Sequence, residues 1–319
     1  MDWFGAGVDG PLIAVRAIHF AATAITAGTL VFRAVVAKPA LPSDQAIAKL
    51  LRTQTLRMAW TGLAVTLLSG VIWFLLQAAS MSGLPFGEAM TSRMLLTVLN
   101  QTQFGLLSEI RMALAIILAA CLAYGRFPLL DRFAPAAALG LTAAIAWTGH
   151  AGSTPGEMGN LHLAADALHL VAAASWLGGL VPLVLLLAAA RRHRTVEWAS
   201  LARAAAGRFS TLGIVSVAAL LVTGIVNAWI LVGSFDALLV TGYGRLLTLK
   251  LAVFAVMLVF AAVNRFWLTP QLGFSSGHEP RPEALRQLTR NSTIEIALGL
   301  GIFAIVGMLG TLHPAIHLP

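Results

Sequence analysis

The stretch Leu161–Leu180, LHLAADALHLVAAASWLGGL, decides the fold of this chain. At 1.5 Å of rise per residue, an apolar run of this length crosses the roughly 30 Å hydrocarbon core of a bilayer as a helix. Yet it carries His162, Asp166 and His169. These fall at i, i+4 and i+7 and stack along one helix face, and Trp176 extends the same stripe. Ionisable groups are expensive in lipid, so a row of this kind faces a protein interior or a wet cavity and marks a functional site. Metal or cofactor ligation is the first chemistry that a His/Asp/His row suggests.

The rest of the chain has the same character. Of 319 residues, 58% are hydrophobic and only 11% are charged, with a mean hydropathy of +0.84, which excludes a soluble globular domain of this length. Spanning segments are expected at Pro11–Ala37, Leu56–Ala79, Leu106–Tyr124, Phe133–Thr148, Leu161–Ala190, Ser210–Val232, Arg245–Leu268 and Thr293–Leu312. The fold class is therefore an all-α polytopic membrane protein of about eight helices, in one transmembrane domain over residues 1–319. The first run is long enough to span and stay, so the N-terminus is expected to be retained.

The formal charge of +8 does not indicate nucleic acid, because the basic residues sit in short links between apolar runs. The first, third, fifth and seventh links, together with the span ends that border them, carry 16 of the 21 Lys and Arg. The positive-inside rule then puts those links in the cytoplasm and both termini outside. Gly273 to Pro282 is polar and turn-rich and is expected to be mobile. Tryptophans such as Trp73, Trp147, Trp229 and Trp267 fall near expected helix ends and are read as interfacial anchors. A single cysteine, Cys121, excludes an intramolecular disulfide and a CxxC clip.

With that orientation, the intramembrane histidines gather in the outer half. His169 lies about 10 Å deeper than His162, and His19, eight residues into the first span, reaches a similar depth on another helix. Two levels are expected: a mouth of His150, His162, His313 and Met158, and a deeper site of His19, Asp166 and His169. Arg16, Arg111 and Lys250 share the outer half and are expected to pair with Glu109 and Asp166; unpaired, they would oppose a bound cation. The inner half offers little beyond Glu295, Asn264 and Cys121, so the ligands form an outer basin more clearly than a channel. A second reading makes His19 and His169 the axial ligands of a b-type haem, with Arg and Lys250 on its propionates. No nucleophile–base pair or phosphate loop occurs, so an enzyme is not expected, with redox activity left open.

Three stretches carry a family resemblance: DALHLVAAASWLGGL (Asp166 to Leu180), TGYGRLLTLKLAVFAVMLVFAAVNRFWLTP (Thr241 to Pro270) and ALGLGIFAIVGMLGTLHP (Ala297 to Pro314). They resemble the CopD family of copper-resistance inner-membrane proteins, most specifically through Tyr243, Gly244, Arg245, Leu246, Leu247, Lys250, Asn264, Arg265, Leu268 and Pro270. The likeness is strongest over about 161–314 and looser through RAIHFAATAITAGTLVFRA (Arg16 to Ala34), TQFG (Thr102 to Gly105) and the Gly149–Ala151 GHA. It implies a multi-pass bacterial plasma-membrane protein of copper homeostasis that handles Cu(I) or Cu(II), with a periplasmic partner of the CopC type. It also implies copper roles for His19, His150, His162, Asp166 and His169. Transport across the membrane is the leading expectation, and a copper relay or sensor without translocation is the alternative. Cu(I) paths favour soft Met and Cys ligands, and no span holds a tight Met cluster.

Overall fold

The computed structural model describes residues 10–84, 86–154, 156–273, 282–314 and 316. Among these it is all helical, and eight helices are long and apolar enough to cross a membrane. They are α1 (Gly10–Ala40), α2 (Gln45–Ser82), α3 (Gln103–Ala123), α4 (Pro128–Thr148), α5 (Gly156–His193), α6 (Val196–Val232), α7 (Gly242–Gln271) and α8 (Pro282–Leu309). Each expected span lies on one of them. The expectation of a mobile Gly273–Pro282 segment falls mostly outside the described residues.

The chief difference is length. Helices α2, α6 and α8 begin about ten residues before their apolar runs, so much of the basic charge rides on helical extensions and not in loops. Local chemistry explains this. The Asp44 carboxylate accepts from the backbone N–H of Ala46 and Ile47 and caps α2, and the Thr195 hydroxyl caps α6 through Trp198 N–H. Ala, Leu, Arg and Gln, which dominate these extensions, are also strong helix formers. Short helices at Phe86–Ala89, Ser92–Gln101 and Phe235–Val240 occupy stretches read from sequence as links.

Helices α1 and α5 are the most buried of the eight. α1 packs on α2, α4, α5 and α8, and small residues allow it. A Cβ added at Gly28 would strike the backbone of Ala174, Gly178 and Gly179, so α1 and α5 cross with their main chains nearly touching. Peripheral faces point large apolar side chains outward, among them Leu68, Ile116, Val222, Ile225 and Val259. In lipid that surface is the buried one.

Three long helices contain a π-helical turn: Phe32–Ala37 in α1, Ala174–Gly178 in α5 and Asn264–Leu268 in α7. Each is followed within about one helical turn by a proline, Pro39, Pro182 and Pro270. Proline offers no N–H and crowds the carbonyl four residues back, and a widened turn absorbs that misfit without ending the helix. Near the C-terminal end of α1, Arg33 donates to Asp131 of α4 at 2.5 Å, and Lys38 donates to the second oxygen of the same carboxylate.

Candidate functional site in the membrane bundle

The row on α5 faces a cavity of about 340 Å³ enclosed by α1, α4, α5, α6, α7 and α8. His162, Asp166 and His169 line it together with Arg16, Asn227, Tyr243 and Lys250. The helical spacing therefore does what was expected and points three ionisable groups into one space. Among the described residues, no three His, Cys, Asp or Glu side chains come close enough to form a ready metal site.

The hydrogen bonds around His169 fix its chemistry. The Thr223 hydroxyl gives its single proton to the Ala219 carbonyl at 2.6 Å. Its oxygen, 2.9 Å from His169 Nδ1, must then accept from Nδ1–H. In a neutral imidazole this leaves the lone pair on Nε2, which has no partner among the described residues. A histidine held through one nitrogen with the other free is the usual arrangement of a metal-ligating imidazole. Asp166, one turn away, accepts at Oδ1 from Asn227 Nδ2 at 3.3 Å, and its Oδ2 has no hydrogen-bond partner among the described residues. His162 is fully buried near the start of α5, with its Nδ1 2.9 Å from the Thr154 hydroxyl.

His19 answers differently. It is 1% exposed, but it does not line the cavity. Ser69 spends its proton on the Val65 carbonyl and accepts from His19 Nδ1 at 3.0 Å. The lone pair that remains on Nε2 is then taken by Arg111 NH2. Both nitrogens are engaged, and the ring packs against Trp73 at 5.4 Å between centroids. The sequence placed His19 at the depth of His169, and the structure turns it toward α2 and α3, away from α6. The pairing of His19 with His169 is thus corrected: they do not face one another, and the axial-ligand reading for haem does not fit these side chains.

Other expectations are corrected by the same cluster. Arg16 and Arg111 do not pair with Glu109 or Asp166. Their guanidinium groups lie 5.3 and 5.1 Å from the Trp73 ring, and neither Nε has a hydrogen-bond partner. Trp73 is 1% exposed and is a buried platform for two cations, not an interfacial anchor. Lys250 shares the cavity with Asp166 but forms no ion pair with it within 4 Å among the described residues.

The mouth residues are more scattered. His150 lies in a short 3-10 helix, His150–Ser153, and its side chain falls outside what the structure describes. Met158 and His313 are both exposed, and neither lines the cavity. Sequence reasoning passed over Thr223 and took Tyr243 only as a mark of the family resemblance. Thr223 and Asn227 stand at i and i+4 on α6, the same one-turn spacing that made His162 and Asp166 conspicuous, but uncharged groups in an apolar run draw less notice.

A second cavity, of about 360 Å³, lies nearer the basic ends of the helices. It is lined by Ser210, Asn264, Arg265, Ser292 and Glu295. Trp176 and Leu221 line both cavities and form the partition between them. Both spaces lie between α6 and α7, which barely touch along their spans.

Comparison with known proteins accounts for most of the chain. The family model described as copper resistance protein D-like, N-terminal domain, matches residues 8–160, and the one described as copper resistance protein D matches residues 203–309. His162, Asp166 and His169 fall between the two matched segments. The chain is 31% identical over 260 residues to copper resistance protein D of Pseudomonas syringae pv. tomato, covering 78% of this chain and 81% of that protein. It is 29% identical over 307 residues to the inner membrane protein YebZ of Escherichia coli (strain K12), covering 95% and 98%. It is also 29% identical over 301 residues to the copper transport protein CutJ of Bacillus subtilis (strain 168), covering 90% of this chain and 50% of that protein. No solved structure matches the chain.

Proposed function

This chain belongs to the copper resistance protein D family, and from that premise we propose that it receives copper in the α5-lined cavity and carries it across the bacterial inner membrane. The observation that carries the site is the contrast between its two deep histidines. His169 offers an unengaged Nε2 to a cavity that also holds Asp166 Oδ2, whereas His19 has both nitrogens engaged.

In this reading, His169 Nε2 and Asp166 Oδ2 are the first ligands, and they sit one helical turn apart on α5, close enough for one ion. His162 lies one turn nearer the start of the helix and passes copper toward them. Thr223 holds the His169 ring and fixes its tautomer; Asn227 orients the Asp166 carboxylate. Lys250 and Arg16 stand in the same space and oppose a bare cation electrostatically, which keeps retention weak enough for release. The excess of basic residues at the opposite end of the bundle supports a cavity that opens to the periplasm, where a CopC-type carrier would deliver the ion. Neither Met158 nor His313 is needed as a ligand.

Purified protein should bind copper stoichiometrically, and His169→Ala should lose that copper while eluting as wild type on gel filtration. Its absorption spectrum should show no Soret band. A metal-free wild type, or full copper content in His169→Ala, overturns the assignment. A second reading, receipt and hand-over of copper without translocation, is favoured by the Trp176 and Leu221 partition, which closes the cavity floor. Copper flux into proteoliposomes separates the two: translocation requires it, and the relay excludes it.

A further inference from the structure

Glu295 is the buried ionisable group that the copper site leaves without a role. It is 1% exposed, on α8, at the wall of the second cavity. Asn264 Nδ2 donates to its Oε1 at 2.6 Å, and Asn291 Nδ2 in turn donates to Asn264 Oδ1 at 3.1 Å. This relay fixes the amide of Asn264 so that it presents its N–H to the carboxyl. Glu295 Oε2 has no hydrogen-bond partner among the described residues.

Among the described residues no cation forms an ion pair with this carboxyl. Besides Glu295, the charged side chain that lines the cavity among the described residues is Arg265 of α7, and its guanidinium donates to Ser210 at 2.9 Å. From α1, Arg33 and Lys38 are committed to Asp131. From α5 the cavity receives Trp176, Leu180 and Leu183, and from α6 it receives Phe209 and Ser210 among otherwise apolar side chains. Arg208 of α6 and Arg290 of α8 are exposed. A carboxyl buried among neutral groups is stable only when it carries a proton or meets a cation. Here the protein provides neutral amides and a cavity that Glu295 itself lines.

We propose that Glu295 is a proton-binding site, that its proton exchanges with solvent at the basic end of the bundle through the second cavity, and that loading and unloading accompany copper movement past Trp176. The proton-binding half stands on the Glu295 cluster alone. The coupling half rests on the copper-translocation reading above. Asn264 is the positioning residue. It opens the π turn before Pro270, where its backbone carbonyl accepts from the Thr269 hydroxyl at 2.7 Å, while its side chain is held between Asn291 and Glu295.

Two measurements separate these halves. In pH-difference infrared spectra of the full-length protein in nanodiscs, a protonated-carboxyl band should vanish in Glu295→Gln and persist in Asp166→Asn. Asn264→Leu removes the donor but keeps the carboxyl, and should move that band instead of deleting it. If the carboxyl difference spectrum is the same in wild type and Glu295→Gln, or does not move in Asn264→Leu, Glu295 is not a proton site. In proteoliposomes with an imposed pH gradient, copper accumulation by the wild type should shift by roughly tenfold per pH unit for one proton per ion. Glu295→Gln should bind copper as wild type and respond by less than about twofold. An unchanged gradient response in Glu295→Gln overturns coupling even where the infrared site stands. Absence of copper flux in the wild type overturns both translocation and coupling, and the infrared result then decides the proton site by itself.

Discussion

At the scale of single residues, two histidines of similar depth are separated by what holds their second nitrogen. The partners of His19 are Ser69 and Arg111, 50 and 92 residues away, and no spacing rule within one helix reports a contact of that range. The His162, Asp166 and His169 row was legible because it depends only on the 3.6-residue period. The state of each ring was not, because it depends on a hydroxyl from another helix. Thr223 is therefore a positioning residue with a measurable effect. Thr223→Val should weaken copper binding by about 10- to 100-fold, as expected when the group orienting a ligand histidine is lost, and Thr223→Ser should restore it. His19→Ala should do the reverse: copper stoichiometry is kept, while thermal stability falls by about 1–3 kcal/mol because Arg111 loses its buried acceptor. Competition titration for copper and thermal unfolding of the same samples check both; a copper-free His19→Ala protein of wild-type stability would contradict them.

At the scale of elements, length and apolarity alone located all eight spanning helices, and the alternation of basic charge from one link to the next agreed with that count. Where the helices start was less legible, since basic and small residues that look like loop are good helix formers once Asp44 or Thr195 caps them. The π turns were legible only in part: Pro39, Pro182 and Pro270 are visible in sequence, but a proline can equally end or kink a helix. The α1–α5 crossing depends on a glycine pair more than on any large side chain. Gly28→Ala should cost about 1–3 kcal/mol, because the new methyl meets backbone on three sides and backbone cannot step aside. Gly301→Ala on α8 is the matched control: nothing lies within 4 Å of its added Cβ, and it should be neutral or gain up to about 1 kcal/mol. Detergent-solubilised thermal shifts compare the two. Equal shifts would mean that the close approach of α1 to α5 is not what holds the core.

At the scale of the whole molecule, the polar groups divide into two cavities stacked between α6 and α7, with Trp176 and Leu221 between them. Sequence showed the upper set as an excess of polar groups in one half, but cavities arise from helices standing apart, and that was not written in any one segment. Which cavity meets which compartment depends on charge. Sixteen of 21 Lys and Arg lie in the first, third, fifth and seventh links or in the helix ends that border them, and the extended basic ends of α2, α6 and α8 gather at the end of the bundle that holds Glu295. Each such charge disfavours translocation, so this end should lie in the cytoplasm and the His169 cavity should open toward the periplasm. The lone native cysteine makes the test clean. In a Cys121→Ser background, Ser43→Cys marks the link between α1 and α2, and Ser234→Cys marks the link between α6 and α7. A membrane-impermeant maleimide applied to spheroplasts should label the Ser234→Cys protein and leave the Ser43→Cys protein unlabelled until the membrane is lysed. The reverse pattern would turn the His169 cavity toward the cytoplasm. It would then serve as an acceptor for cytoplasmic copper, and a periplasmic carrier would have nothing to deliver to.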